Sequence, residues 1–315
     1  MRIYFDTITY VTDISDMVSP HDSLDQTNTY VYNLLKPDIS PRYSHLYNPS
    51  FIKLISESCF NHGENIITYM SNGALGDLIH CLYVVKNNYI HTGQRGTVFL
   101  GPTFFTKNYV QTYNDIKDTI ERQEYIYQLK LIGTNDIKHD QIINLDKFRH
   151  SPLLNRADWL MILTNLYNIP LLNMSWLRAE HSFKKQEKVL INRSTNRHIP
   201  NFPWKNIVSN LSCHFITQDI NQYHHFPYKT QTILLDIKDF SNFVNEIGNC
   251  RLFIGNQSAP LAIAYALGKY CMGELHGTDT GQYMNLDKYN KFYWISSHSA
   301  NLSEDLIKIC SDHQS

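Results

Sequence analysis

Arg251 to Lys269 reads RLFIGNQSAPLAIAYALGK. Arg251-Leu252-Phe253-Ile254 is a short, mostly apolar run, Gly255-Asn256-Gln257-Ser258 a turn, and Pro260 to Leu267 an alanine-rich helix closed by Gly268. Pro260 suits the first helical position because its missing N–H is one the helix cannot use, and Gly268 suits the residue just past the end. The stretch therefore predicts a buried strand, a tight polar loop and a helix whose N-terminus points out of a sheet. Backbone N–H groups at such an end, with the helix dipole behind them, form a seat for an anion such as a diphosphate. The same pattern also serves as an ordinary β-loop-α connection without a ligand.

Working outward, the flanks repeat the alternation of strand and helix. Upstream, Lys188 to Asn192 predicts a strand, Trp204 to Leu211 a helix, Cys213 to Thr217 and Thr232 to Asp236 strands, and Asp239 the cap of a helix that carries Phe240, Phe243, Val244 and Ile247. Downstream come strands at Tyr270 to Leu275 and Phe292 to Ser296 and a last helix at Ser303 to Cys310. A comparable series fills the first half. Ile66 to Met70 predicts a strand, Ser71 to Gly76 a glycine-bearing turn, and Asp77 the start of a helix with Leu78, Ile79, Leu82 and Val85 on one face. Strands follow at Thr97 to Leu100, Leu129 to Ile132 and Ile142 to Leu145, with helices near Asp115 to Gln123 and Leu154 to Asn168. Asn48-Pro49 opens an earlier helix, and residues 1–60 read as an extension packed on the first domain. The charged stretch Arg178 to Lys188 reads as a crossing between domains. The fold class is α/β, and two successive β/α series imply two parallel sheets with a cleft between them. At 315 residues the chain has room for both cores, because single cores stop growing near roughly 250–300 residues.

Composition narrows the function classes. Net charge is −1 with 18% charged residues, so there is no electrostatic footprint for nucleic acid or an anionic membrane. The 6 cysteines are scattered without a C-x-x-C pair, which points to neither a zinc site nor a disulfide framework and fits a reducing compartment. No basic region followed by an apolar core opens the chain and no run is long enough to span a membrane, so the expected location is the cytoplasm. The histidines show no metal-ligand spacing, and His224-His225 reads as part of a surface loop. Oligomeric state leaves no signal.

Ligands of open α/β sheets bind at the carboxyl ends of the strands. Four loops fall there: Asn72 to Asp77, Arg193 to Trp204, Gly255 to Ser258 and His276 to Gly281. The first is neither a Walker A loop nor a G-x-G-x-x-G turn. Asp77 sits at a helix start, where the dipole stabilises a carboxylate by roughly 0.3–1 kcal/mol, a sufficient reason for its presence even without chemistry. Arg193 and Arg197 flank a donor-rich loop, and a guanidinium fork suits phosphate oxygens, although a solvated charged loop has the same composition. Lys205 lies in the first turn of the following helix, awkward for a cation unless an anion is near.

Taken together, these segments resemble a family. FIGNQSAPLAIAYALGK is similar to the donor-domain signature of the bacterial ADP-heptose:lipopolysaccharide heptosyltransferases and their relatives, of the form IGNDSGPMHLAAALG, with Gly255, Asn256, Ser258, Pro260, Ala264, Ala266, Leu267 and Gly268 in register. SNGALGDLIHCL resembles that family's G-x-L-G-D followed by an apolar helix through Gly73, Leu75, Gly76 and Asp77. VLINRSTNRHIPNFPWKNIV resembles its strand and loop ending in a W-P helix start, and His276-Gly277-Thr278-Asp279 its Y-G-P-T-D loop, one residue shorter. The resemblance spans roughly residues 66–281 and is thin between about 100 and 185.

The resemblance implies the GT-B architecture, two Rossmann-like domains facing a cleft. Residues 1–178, including the 1–60 extension, would be the acceptor-side domain, and 187–315 the nucleotide-sugar-binding domain. It implies a glycosyltransferase that moves a sugar from a nucleotide-diphosphate sugar to a hydroxyl of a glycan-type or lipid-linked acceptor, inverting, with no cofactor and no metal. Asp77 would be the general base, with Asn72, Gly73 and Gly76 in its loop. Arg193, Arg197, Lys205, Asn256, Gln257, Ser258, Gly277 and Thr278 would bind the donor. Two departures stand out. Gln257 replaces the family's Asp and Ala262 its His, both of which lie beside the donor. A nucleotide- or sugar-binding protein without transferase activity and a nucleotide-sugar epimerase are the alternatives on the same fold.

Overall fold

The computed structural model of the chain describes residues 66–71, 74–100, 109–131, 143–145, 175–180, 188–199, 202–275 and 292–296. The expected 1–60 extension and the helices expected at Asn48-Pro49, Leu154 to Asn168 and Ser303 to Cys310 lie outside these residues. The chain divides into two compact units, with the boundary between Asn173 and Met174.

The first unit is built on a parallel four-stranded sheet. Its strands are β1 (Ile66–Ser71), β2 (Arg95–Leu100), β3 (Ile126–Leu131) and β4 (Ile143–Asn144), in the order β3-β2-β1-β4. Helix α1 (Leu75–Thr92) connects β1 to β2, and α2 (Tyr109–Glu121) precedes β3. α1 starts two residues before the expected Asp77 and runs until Gly93, whose φ of 72° lets its N–H turn back to the Tyr89 carbonyl at 2.7 Å. Every residue from Leu78 to Asn88 except His80 is buried, so this helix is enclosed instead of lying on a surface. Burial includes its polar side chains. Asn88 donates to the Tyr69 hydroxyl at 2.7 Å, and the Lys86 ammonium sits 5.8 Å from the Tyr125 ring centroid and 4.0 Å from Glu124. Burial pushes the Tyr125 phenol far above its ordinary range. Gly96 marks the tightest packing, since a Cβ there would meet Val85 Cγ1 at 2.4 Å and the Tyr69 ring at 3.0 Å.

The second unit carries a parallel six-stranded sheet in the order β10-β9-β8-β5-β6-β7. Its strands are β5 (Val189–Asn192), β6 (Cys213–Thr217), β7 (Ile233–Asp236), β8 (Leu252–Asn256), β9 (Tyr270–Leu275) and β10 (Phe292–Ser296). The helices are α3 (Trp204–Asn210), α4 (Ile220–His225), α5 (Phe240–Gly248) and α6 (Ala259–Ala266). Capping explains two of these starts, because Asp219 accepts from the Asn221 N–H at 3.0 Å and Asp239 from the Asn242 N–H at 2.7 Å. α4 corrects the reading of His224-His225 as loop. The pair forms the exposed last turn of a short helix whose period is masked by its brevity.

Strand alternation sorts the core. Val189 and Ile191 of β5, Leu252 and Ile254 of β8 and Met272 of β9 share one buried cluster with Trp204, Ile207, Phe215 and Phe226. Within it Trp204 packs edge-on to Phe226 at 5.3 Å and tilted against Phe202 at 4.7 Å. The segment 175–180, which includes the first residues of the Arg178 to Lys188 stretch read as a crossing between domains, is pinned to this unit. Trp176 and Leu177 donate to the Ala266 carbonyl at 2.9 and 3.0 Å, and Glu180 N–H donates to Asn245 Oδ1 at 2.8 Å.

Candidate functional site

The six-stranded sheet begins with β5, adds β6 and β7 on one side and then β8, β9 and β10 on the other. The carboxyl ends of β5 and β8 therefore flank a topological switch point, where open parallel sheets leave a crevice for ligands. β8 runs two residues further than expected. Gly255 and Asn256 continue the ladder opposite Asn192 and Glu274, which leaves Gln257 and Ser258 as the turn. The glycine is demanded by close approach, since a Cβ at 255 would stand 2.8 Å from the Asn192 carbonyl oxygen.

The strongest polar feature at this edge is one that sequence reasoning missed. Glu274, on the same face of β9 as Met272, is completely buried. Its Oε1 accepts from Arg193 Nη2 at 2.7 Å and from the Ile199 N–H at 2.7 Å, while Oε2 accepts from Arg193 Nε at 2.9 Å and from the Trp204 indole at 3.2 Å. This is a two-pronged guanidinium–carboxylate pair, the strong geometry for such a bond. Arg193 is also stacked near Trp204, its guanidinium carbon 5.8 Å from the ring centroid. The arginine expected to meet a diphosphate thus has its charge matched at home. A signal existed in the sequence: a lone carboxylate inside an apolar strand needs a buried partner.

Asn256, also fully buried, braces the same loop from the other side. Its Oδ1 accepts from the Ser194 N–H at 3.0 Å, and its Nδ2 donates to Ser194 Oγ at 2.8 Å and to the Asn196 carbonyl. Those bonds make it a scaffold for the loop after β5. Residues 195–198 between these anchors are exposed. Arg197 has a φ of 61°, the left-handed region that costs a non-glycine residue roughly 1–2 kcal/mol, and its Nη1 donates to the Gln257 carbonyl at 3.1 Å. Arg197 and Gln257 therefore join the two loops of the switch point.

At the start of α6, Ser258 sits at the cap, but its hydroxyl donates to the Asn256 carbonyl at 3.1 Å and caps nothing. The first bond inside the helix runs from Ala262 N–H to the Ser258 carbonyl at 3.1 Å. The N–H groups of Ala259 and Leu261 precede it, and Pro260 has none. Ala262 is buried in the helix and offers no side chain to a ligand. Lys205 is exposed in the first turn of α3 and has no hydrogen-bond or ion-pair partner among the described residues. Beneath this edge Asn192 donates to the Ile216 carbonyl and to Gln222 Oε1, both at 2.9 Å, and Thr217 Oγ1 reaches Gln222 at 3.2 Å.

In the first unit, Asp77 and Gly76 occupy the first turn of α1, half-buried, behind the carboxyl end of β1. β1 is itself the switch strand of its sheet, between β2 and β4. The cap there is Ala74, which brings no side-chain oxygen, so Asp77 is the acidic group of that helix start. Asn72, Gly73, Gly277 and Thr278 lie outside the described residues. Among those described, no three His, Cys, Asp or Glu side chains converge to hold a metal ion, and no helix is long and apolar enough to cross a membrane. Cys81, Cys213, Cys250 and Cys271 are buried and form no disulfide among the described residues. Burial pushes the Cys250 thiol up to about 12 and Cys271 well above its ordinary value, which makes both poor nucleophiles.

Neither a protein-family model nor a curated protein sequence matches the chain. Solved structures do. E. coli ADP-heptose LPS heptosyltransferase II superimposes with a TM-score of 0.52 at 9% identity over 79% of this chain and 99% of that one. E. coli heptosyltransferase WaaC with ADP-2-deoxy-2-fluoro heptose gives 0.48 at 7% identity, over 79% and 100% of the two chains. The glycosyl transferase family 9 structure from Veillonella parvula gives 0.47 at 10% identity, over 82% and 91%. The chain thus resembles the heptosyltransferases in fold and shares the α/β fold, built on parallel sheets, of heptosyltransferase II.

Proposed function

We propose that the protein is a glycosyltransferase of the heptosyltransferase-like kind, with the GT-B arrangement, which takes its sugar from a nucleotide-diphosphate donor bound at the β5–β8 edge. The observation that carries this reading is the join of two switch-point loops, Arg197 to the Gln257 carbonyl, directly in front of the N-terminus of α6. A diphosphate seated there meets the N–H groups of Ala259 and Leu261 and the helix dipole, with Arg197 joined to the same turn and Lys205, exposed in the first turn of α3, as a second cation assigned to the donor. Arg193 contributes by holding its loop. Charge held by fixed donors outside bulk water is the usual way to stabilise a departing anion.

In the proposed reaction an acceptor hydroxyl oxygen attacks the anomeric carbon, and its proton passes to the Asp77 carboxylate. The bond from that carbon to the diphosphate oxygen breaks, and the electron pair leaves with the diphosphate, so configuration inverts. No metal enters the scheme, and activity that vanishes with EDTA and returns with a divalent ion would refute that part. The test of the whole is a thermal-shift panel of nucleoside diphosphates and nucleotide-sugars followed by an assay for diphosphate release. A ligand at about 100 times its Kd should stabilise the fold by about 2.7 kcal/mol. Absence of a shift with every member of the panel sinks the reading.

A second reading has its own support. Gln257 is uncharged and Arg193 is matched by Glu274, so few charges remain to work on a leaving group. A binder without transferase activity would be protected by a nucleotide and would release no diphosphate.

A further inference from the structure

We infer that Glu274 is a positioning residue of the donor loop: one buried carboxylate pins both ends of the loop 193–199, and so sets where Arg197 presents its charge. The role deepens the proposed donor site and rests on that reading. Arg193 opens the exposed loop and Ile199 closes it, and both bond to Glu274, at 2.7–2.9 Å. Trp204, which starts α3 and immediately precedes Lys205, is the remaining donor, at 3.2 Å. A carboxylate accepts about four hydrogen bonds, and four are made within the protein, so Glu274 has nothing left with which to touch a ligand. It acts through what it holds.

Burying an ion pair is not by itself stabilising, since two well-packed apolar residues often do as well or better. What such residues do not supply is direction. The Ile199 N–H and the Arg193 fork converge on one group 75–81 positions away in sequence, so the loop ends are fixed relative to β9 and not merely relative to each other. Between them Arg197 keeps a left-handed backbone, a conformation that persists only where its surroundings over-determine it. Release of Glu274 should let the loop relax and make any ligand bear the ordering cost.

The experiment uses the full chain in five forms: wild type, Glu274→Gln, Arg197→Ala, the double variant Arg193→Met/Glu274→Met, and that double variant with Arg197→Ala. Glu274→Gln places an amide NH₂ among four donors and is expected to lower Tm. The double variant removes both charges, leaves only the neutral Ile199 N–H and Trp204 indole without their acceptor, and is expected to recover part of the lost Tm, which separates folding from positioning. Hydrogen exchange of the bonded loop amides, Ser194 and Ile199, is read without ligand. The expected result is exchange faster by about tenfold or more in the double variant, corresponding to loss of a local opening free energy, with β8 unchanged. Unchanged exchange overturns the proposal whatever the ligand.

Affinity for ADP and UDP is then measured by calorimetry. The folded double variant should bind about tenfold more weakly, the cost of ordering a loop that the wild type holds ready. Arg197→Ala should weaken wild type yet add little in the double-variant background, because the two act in series. Additive losses, or wild-type affinity in the double variant, refute the positioning role. Faster loop exchange with no binding by wild type would uphold the pinning and fail the donor site instead, so the two failures are told apart.

Discussion

The two sheets each place a switch strand against a helix start, but they equip the two edges differently. Behind β1 the acidic group at the helix start is Asp77, in the first turn of α1, on a helix capped by an alanine. At β5–β8 the polar contacts are long-range. Glu274 of β9 holds Arg193 and Trp204, and Asn256 of β8 holds Ser194, across 62–81 positions of sequence. The difference teaches that one edge takes its acidic group from its own helix start, whereas the other fixes an exposed loop from strands distant in sequence.

The comparison can be broken by substitutions that ought to act on one edge only. The largest effect is expected from Asp77→Asn. Loss of a general base costs about 10²–10⁴-fold in rate, and this change should leave Tm and nucleotide affinity close to wild type. Turnover at the wild-type rate in a diphosphate-release assay would remove Asp77 from the chemistry. Next in size is Glu274→Ala, which leaves the part-buried Arg193 without its counter-charge and should destabilise by about 3 kcal/mol in denaturant unfolding. If it costs no more than a surface change, the network is ornament.

The glycines sharpen the contrast. Gly255→Ala drives a Cβ into the Asn192 carbonyl, an atom of the backbone, and Gly96→Ala drives one into Val85 Cγ1, the end of a side chain. Overpacking of this kind costs about 1–3 kcal/mol. The Gly255 change should lie at the upper end and weaken nucleotide binding as well, because it pushes β8 from β5 at the site. The Gly96 change should lower Tm without touching affinity. Smallest is an effect of pH. Burial and the neighbouring Lys188 hold His214 below its ordinary 6.5, against a weaker opposing pull from Glu246. The unfolded chain then binds the proton more readily than the folded one, so stability is full above about pH 6.5 and falls as pH drops below it. His214→Asn should flatten the Tm profile between pH 7 and 5.

Much of this was readable before any coordinates. The strands Cys213–Thr217, Tyr270–Leu275 and Phe292–Ser296 fall where apolar runs between turn residues put them, and α5 begins after its Asp239 cap. Local signals suffice there. Local signals fall short where a residue answers to something distant. Gly255 and Asn256 look like turn residues, yet the ladder to β5 and β9 carries them as strand. Arg193 looks like a phosphate ligand, and its partner lies 81 residues later on another strand. Asn256 matched the family signature in register, and what it binds is the protein's own loop. Sequence spacing marks the positions, but only the fold shows which polar groups are answered from within.

The left-handed backbone of Arg197 sets two selections against each other. Glycine adopts that conformation without strain, so Arg197→Gly should cost the fold nothing or raise Tm slightly. A library of variants at this position, sorted for thermal endurance, should drift toward glycine and asparagine. Sorted for capture of a nucleoside diphosphate, it should return to arginine. The distance between the two enriched populations would measure how much stability the protein forgoes at one loop tip to keep a cation there.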